Sequence, residues 1–169
     1  AVLDRCKNMG SLGEPLYEDI CTTMLKADKK DIRIIGGRYG LSSKDTTPGQ
    51  IAAVYENLAA DKPVEGFTIG INDDVTHKSL TVKPFSIIGD DFVSCKFWGL
   101  GGDGTVGANK STVDIINNTT EKYGQAYFEY DAKKSLGTTK SHLRFSNTPI
   151  RSSYYVKEAD FVACHNHHF

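Results

Sequence analysis

The stretch Phe97-Trp98-Gly99-Leu100-Gly101-Gly102-Asp103-Gly104-Thr105-Val106-Gly107 constrains this chain more than any other. Gly99, Gly101 and Gly104 fit the G-x-G-x-x-G spacing. In that pattern glycines allow a tight turn, close approach of backbone to a phosphate, and close packing of helix on strand. Phe92, Val93, Cys95, Phe97 and Trp98 form an extended apolar approach, and Thr105 opens a helix whose first N–H groups face the loop. Two readings follow: a site for a phosphate-bearing ligand, or a merely tight strand-to-helix turn.

Upstream, the pattern is that of an α/β fold with a parallel sheet and crossover helices. Val2 and Leu3 begin a strand, and Pro15 starts an amphipathic helix expected to bury Leu16, Tyr17, Ile20, Cys21 and Met24. Ile32, Ile34 and Ile35 predict a second strand running into Gly36-Gly37-Arg38-Tyr39-Gly40. Thr47-Pro48-Gly49-Gln50 has capping-box form, and the helix behind it places Ile51, Val54, Tyr55 and Leu58 on one face. Gly66 to Ile71 is a third strand, and Asp73-Asp74 beyond it reads as a solvated turn. From Val75 to Asp91 the periodicity fades, as expected of a linker.

The second part begins at Phe92. Strand, glycine loop, a helix with Val106, Val113 and Ile116 on its apolar face, and a strand at Gln125 to Tyr130 make a Rossmann-like start. Asn109 and Lys110 fall one turn into that helix, within reach of a phosphate on the loop. A nicotinamide site needs a ribose-binding acid, and Glu129 or Asp131 comes later than the usual spacing. Lys133 and Lys134 follow, where an extra ribose phosphate of NADP or of coenzyme A would lie; a hydrated lysine-rich hairpin tip is the other reading. Lys140, His142 and Arg144 alternate, so they share one face of a strand, opposite Leu143 and Phe145. That cationic row suits an anionic ligand or a solvated surface. Ser153 to Val156 and Ala159 to Cys164 read as further strands. His165, His167 and His168 lie too near the chain end for a rigid metal site.

Composition narrows the partners. Twenty basic against twenty-one acidic residues among 169 leave a net charge of −1, which provides no field for nucleic acid or an anionic membrane. No apolar run reaches the length of a membrane span, and the start Ala1-Val2-Leu3-Asp4-Arg5 lacks a signal peptide's form, so a soluble, cytoplasmic chain is expected. Cys6, Cys21, Cys95 and Cys164 contain no C-x-x-C pair and signal neither zinc nor an iron–sulfur cluster. Both ends look cut.

Several longer motifs add to the glycine loop. Ile34-Ile35-Gly36-Gly37-Arg38-Tyr39-Gly40-Leu41-Ser42-Ser43-Lys44, Gly70-Ile71-Asn72-Asp73-Asp74-Val75-Thr76, Trp98 through Lys110, Tyr127-Phe128-Glu129-Tyr130-Asp131 and Ser141-His142-Leu143-Arg144-Phe145 occur in one order along the chain. Together they closely resemble pyruvate:ferredoxin (or flavodoxin) oxidoreductase. The resemblance implies an internal fragment: residues 1–88 as the C-terminal part of a transketolase C-terminal-like domain plus linker, and 89–169 as the N-terminal part of a gamma domain associated with coenzyme A. It further implies pyruvate and coenzyme A as substrates, thiamine diphosphate and iron–sulfur clusters held outside this segment, ferredoxin or flavodoxin as electron acceptor, and a homodimer in the cytoplasm or in an organelle of an anaerobic eukaryote. On that reading Gly99, Gly101, Gly102, Gly104 and Thr105 hold a phosphate of coenzyme A, with side-chain contacts from Asn109, Lys110, Lys133, Lys134 and Arg144, and Asp103 orders the loop. No catalytic residue or metal ligand is expected here. The competing readings are an NAD(P)-type Rossmann dehydrogenase fragment and a non-catalytic domain-assembly module.

Overall fold

The structure, a computed structural model, describes residues 1–41, 44–132 and 136–167. The chain divides into two compact units, Ala1–Ser86 and Ile87–Phe169.

In the first unit β1 (Val2–Asp4), β2 (Gly36–Arg38) and β3 (Phe67–Thr68) form a parallel sheet in that order, with α1 (Pro15–Lys26) and α2 (Pro48–Ala59) in the crossovers. The α/β class with a parallel sheet therefore holds. The middle strand is displaced from the isoleucines onto the glycines. Gly37 lies under the Phe67 ring, where an added Cβ would come within 2.4 Å of the ring, so only glycine lets β2 and β3 pair here.

Helix α2 begins with the expected capping box: the Gln50 N–H donates to Thr47 Oγ1 at 3.4 Å, and the Thr47 N–H donates to Gln50 Oε1 at 3.2 Å. Its buried face is Gly49, Ala53, Val54 and Asn57, whereas Ile51 and Tyr55 are exposed. Close approach selects this face, since a Cβ on Gly49 would sit 2.9 Å from the Lys83 carbonyl oxygen. Asn57 then bonds both backbone groups of Val64. Ile35, Ala53, Val54, Phe67 and Ile69 form the core on this side of the sheet.

Helix α1 departs from expectation, for none of its residues is buried, and Leu16 and Ile20 are exposed. The reason lies in the sheet. Strand alternation puts Val2 and Asp4, Gly36 and Arg38 on the α1 side, so beyond Val2 the face offers charge and bare backbone instead of an apolar surface. Asp4 is 5% exposed and fixes the helix start by accepting the N–H groups of Leu16 and Tyr17. At Asp73, the Thr76 hydroxyl and the N–H groups of Val75, Thr76 and Lys78 hold the carboxyl far below the usual range, making it the clasp of an exposed turn.

The second unit contains β4 (Val93–Leu100), α3 (Thr105–Thr119), β5 (Tyr123–Tyr130), β6 (Thr138–Ser146) and β7 (Phe161–Cys164), with sheet order β5-β6-β4-β7. The chain order strand, glycine loop, helix, strand is as expected, but the pairing is not that of a Rossmann half. Strand β6 lies between β4 and β5 and is antiparallel to both, so β4-α3-β5 is a split βαβ unit. Cys95, Val113 and Leu143 form the core beneath α3.

The row Lys140, His142, Arg144 does share one face of β6, but His142 and Arg144 are each only 1% exposed. Residues 147–160 cross that face as a strap. Arg144 Nη1 donates to the carbonyls of Ser152 (3.3 Å) and Tyr154 (2.6 Å), with the guanidinium 4.7 Å from the Tyr154 ring. His142 Nδ1 accepts the Val156 N–H at 3.1 Å, and Tyr155 stacks on the imidazole. The expected strand at Ser153 to Val156 is absent because its polar backbone groups bond these side chains instead of a neighbouring strand.

With Nδ1 accepting, Nε2 carries the proton and donates to Glu129 Oε1 at 2.6 Å, so the bonded imidazole is neutral. Burial pushes the His142 pKa below its ordinary 6.5; Glu129 opposes this, and Lys96 and Arg144 reinforce it. The folded state thus binds fewer protons than the unfolded chain between the lowered value and 6.5, and the strap is weakened as pH falls through that window. Hydrogen exchange at the Val156 amide, corrected for intrinsic rate, should show protection that is constant above pH 6.5 and declines below it. His142→Ala should abolish that pH dependence and destabilise the strap by about 2–3 kcal/mol.

Candidate functional site

The glycine loop joins β4 to the N-terminus of α3 and is pinned from two sides. The β4–β6 ladder extends into it, the Gly101 N–H donating to the Gly137 carbonyl at 2.8 Å and the Leu136 N–H donating back to Gly101 at 3.3 Å. From within, Asp103 Oδ2 accepts the Leu100 N–H at 2.7 Å and Oδ1 accepts the Thr105 N–H at 2.8 Å. Burial alone would raise the Asp103 pKa, but these N–H groups, the Thr105 hydroxyl and nearby His165 bring it below the usual range. Asp103 thus has the loop-ordering place that its charge suggested.

Gly99 and Gly104 serve different ends. A Cβ on Gly99 would lie 2.6 Å from Thr105 Oγ1 and 2.7 Å from Asp103 Oδ2, so the bare strand end is what admits the folded-back loop. Gly104 is the N-cap of α3 at φ +87°, a left-handed conformation that disfavours other residues. The helix start has no side-chain cap.

Of the loop amides expected to face a phosphate, those of Gly101, Asp103 and Thr105 are bonded internally; the Asp103 N–H reaches the Leu100 carbonyl. The N–H groups of Gly102, Gly104, Val106 and Gly107 have no partner among the described residues. They border a cavity of about 430 Å³ lined by Leu100 to Gly104, Val106, Gly107, Tyr130 and Thr139. These four open amides lie at the positive end of a fifteen-residue helix, a geometry whose partial charge favours an anion.

The expected side-chain ligands are dispersed. Asn109 is 4% exposed, on the buried face of α3 with Thr105 and Val113. Lys110 is exposed and turns over β5, its Nζ 5.5 Å from the Phe128 ring. Arg144 is buried under the strap, on the sheet face opposite α3. Lys133 and Lys134 lie outside the described residues. Glu129, considered as a ribose acid, is taken by His142 and Lys140. Two cavity residues, Tyr130 and Thr139, were not anticipated; they stand opposite one another in the β5–β6 register, a pairing that sequence spacing alone does not reveal.

The fold and loop define an α/β unit whose longest helix starts at a glycine turn with open N–H groups beside a cavity. Comparison with known proteins then specifies the relatives. The family described as "Pyruvate ferredoxin/flavodoxin oxidoreductase" matches residues 94–169. The chain is 54% identical over 98% of its length to pyruvate:ferredoxin oxidoreductase of Moorella thermoacetica. It is 53% identical over 97% to pyruvate-flavodoxin oxidoreductase of Enterobacter agglomerans, and 48% identical over 98% to mitochondrial pyruvate dehydrogenase [NADP(+)] of Euglena gracilis. It spans 14% of the length of each bacterial relative and 9% of the Euglena protein. The resemblance drawn from the motifs is thereby shown: over nearly its whole length the chain is homologous to a segment of the pyruvate:ferredoxin and pyruvate-flavodoxin oxidoreductases. No helix among the described residues is long and apolar enough to cross a membrane.

Gly99→Ala should displace Asp103 and Thr105 and destabilise the loop by about 1–3 kcal/mol. It should raise hydrogen exchange at the Leu100 and Thr105 amides. Gly107→Ala, whose Cβ meets nothing within 4 Å, should leave both unchanged or slightly more protected.

Proposed function

We propose that this chain is a positioning segment of a 2-oxoacid oxidoreductase that decarboxylates pyruvate oxidatively and releases acetyl-CoA, and that its glycine loop holds a phosphate of coenzyme A. The observation that carries the loop assignment is the set of open amides at Gly102, Gly104, Val106 and Gly107 around a cavity walled by Tyr130. A phosphate accepts from several N–H groups at once, and the helix start adds favourable partial charge. Gly102 and Gly104 let the ligand approach the backbone, and Asp103 presents its oxygens inward to Leu100 and Thr105, which reduces its repulsion of an anion. Thr105 acts through the loop, since its N–H is already engaged.

On this reading thiamine diphosphate and iron–sulfur clusters, supplied by other parts of a longer polypeptide, carry the carbon and electron chemistry. This segment fixes the thiol substrate by its phosphate so that the acyl transfer occurs between oriented partners. The transketolase-like assignment of the first unit, the gamma-domain assignment of the second, and homodimeric assembly belong to the same reading. Relatives named for ferredoxin, for flavodoxin and for NADP(+) resemble the chain to nearly the same degree, which supports placing acceptor choice elsewhere.

Gly107 supplies a test. Gly107 lines the cavity at an exposed helical position, and a Cβ added there meets no atom within 4 Å. Gly107→Leu in the full-length polypeptide should weaken coenzyme A binding at least about tenfold, by the loss of about 1.4 kcal/mol or more. Thermal stability and pyruvate decarboxylation without coenzyme A should be retained. Unchanged coenzyme A affinity, read by calorimetric titration, would remove the loop from the binding site, and loss of assembly with affinity intact would favour a domain-assembly role.

A further inference from the structure

The first unit carries a cavity that the glycine loop does not explain. It is about 430 Å³ in volume and opens on the α1 side of the sheet, over Gly36 and Arg38. A parallel sheet normally has both faces covered by apolar side chains. Here α2 covers one face with Ala53 and Val54, while the opposite face presents Asp4 and Arg38. Asp4 is satisfied by the start of α1, and Glu14, 8% exposed, accepts the Asn8 N–H at 2.5 Å and pairs with Lys7 at 3.3 Å. Arg38 is only half engaged. Its Nε lies 3.7 Å from Glu14, and its two terminal amino groups have no partner among the described residues although the residue lines the cavity.

The rest of the cavity suits an oxyanion. Lys7 and Lys78 line it together with Arg38, Lys78 Nζ donating to the Glu65 carbonyl at 3.0 Å, so the lining carries three cations against Glu14 and Glu65, of which Glu65 already binds Arg33 outside the cavity lining. The Tyr17 ring makes an aromatic wall. It lies so close to the chain that a Cβ on Gly36 would come within 2.7 Å of it and one on Gly13 within 2.5 Å. Those two glycines are therefore the space in which a ring stands beside an accessible guanidinium. A rigid fork of donors with a flat apolar neighbour is the arrangement that binds the phosphate group of a small molecule bidentately.

We infer that Arg38, with Lys7 and Lys78, forms a second oxyanion site in the first unit, for the phosphate group of a small molecule. The site is independent of the glycine loop. The probe is inorganic phosphate, titrated by calorimetry into the full-length polypeptide with coenzyme A at saturation, so that a loop site is already occupied if it exists. Wild type should bind, Arg38→Gln should weaken binding at least tenfold, and Arg38→Lys should fall between, since it keeps charge but loses the fork. Gly107→Leu should not change it. Absence of binding in wild type, or equal binding in all Arg38 variants, overturns the proposal, the latter pointing to an adventitious ion only or to an ion pair with another part of the polypeptide. Phosphate binding lost in Gly107→Leu but kept in Arg38→Gln would also overturn it by assigning the ion to the loop. If Arg38→Gln does not fold, Arg38→Lys decides: unchanged affinity sinks the bidentate site.

Discussion

The antiparallel pairing of β6 against β4 is the constraint on which the second unit depends. It runs from Val93 opposite Phe145 to Leu100 opposite Thr138, and then continues past the end of β4 as the bonds of Gly101 to Gly137 and Leu136. The glycine loop is therefore the terminus of a ladder, held at a fixed height above the sheet. Asp103 completes the turn from inside by accepting two N–H groups, and α3 can start only where that turn ends. Because the internal bonds consume the amides of Gly101, Asp103 and Thr105, the open donors are displaced one step into the helix, toward Val106 and Gly107.

The same strand explains the strap. Alternation puts Leu143 toward α3 and His142 and Arg144 on the opposite face. A buried guanidinium and imidazole are costly unless hydrogen-bonded, so the strap must bring its carbonyls and an N–H to them. Ser152, Tyr154 and Val156 do this with backbone groups, which leaves those groups unavailable for strand pairing. A cationic row that looks like an anion-binding surface in one dimension is, in three, the means by which an irregular segment is fastened to a sheet.

Local signals were legible in the sequence where chemistry is local. Thr47 and Gln50 announce their capping box within four residues, the Pro15 and Thr105 helix starts are placed correctly, and the family motifs identify the relatives. What failed was information carried by pairing across the chain. The insertion of β6 between β4 and β5 depends on a register between residues far apart, and Tyr130 and Thr139 meet at the cavity only through that register. Apolar periodicity also misled for α1, where Leu16 and Ile20 are exposed because β1 and β2 turn Asp4 and Arg38 to the α1 side of the sheet. The burial of Asn109 has the same origin: spacing places it one turn from the loop, but the direction of α3 across the sheet decides which way it points.

The two units answer one physical problem differently. Each puts charged side chains on a sheet face that an ordinary α/β fold would make apolar. In the second unit the strap encloses Arg144 and His142 and closes that face. In the first, the helix start and the Asn8 amide satisfy the carboxylates of Asp4 and Glu14, but the Arg38 fork remains accessible at a cavity. An arginine that serves only to fasten chain is enclosed by carbonyls, as Arg144 is. Arg38 instead shares a cavity with an aromatic wall and two lysines, and this difference in enclosure separates a structural guanidinium from one positioned to receive a ligand.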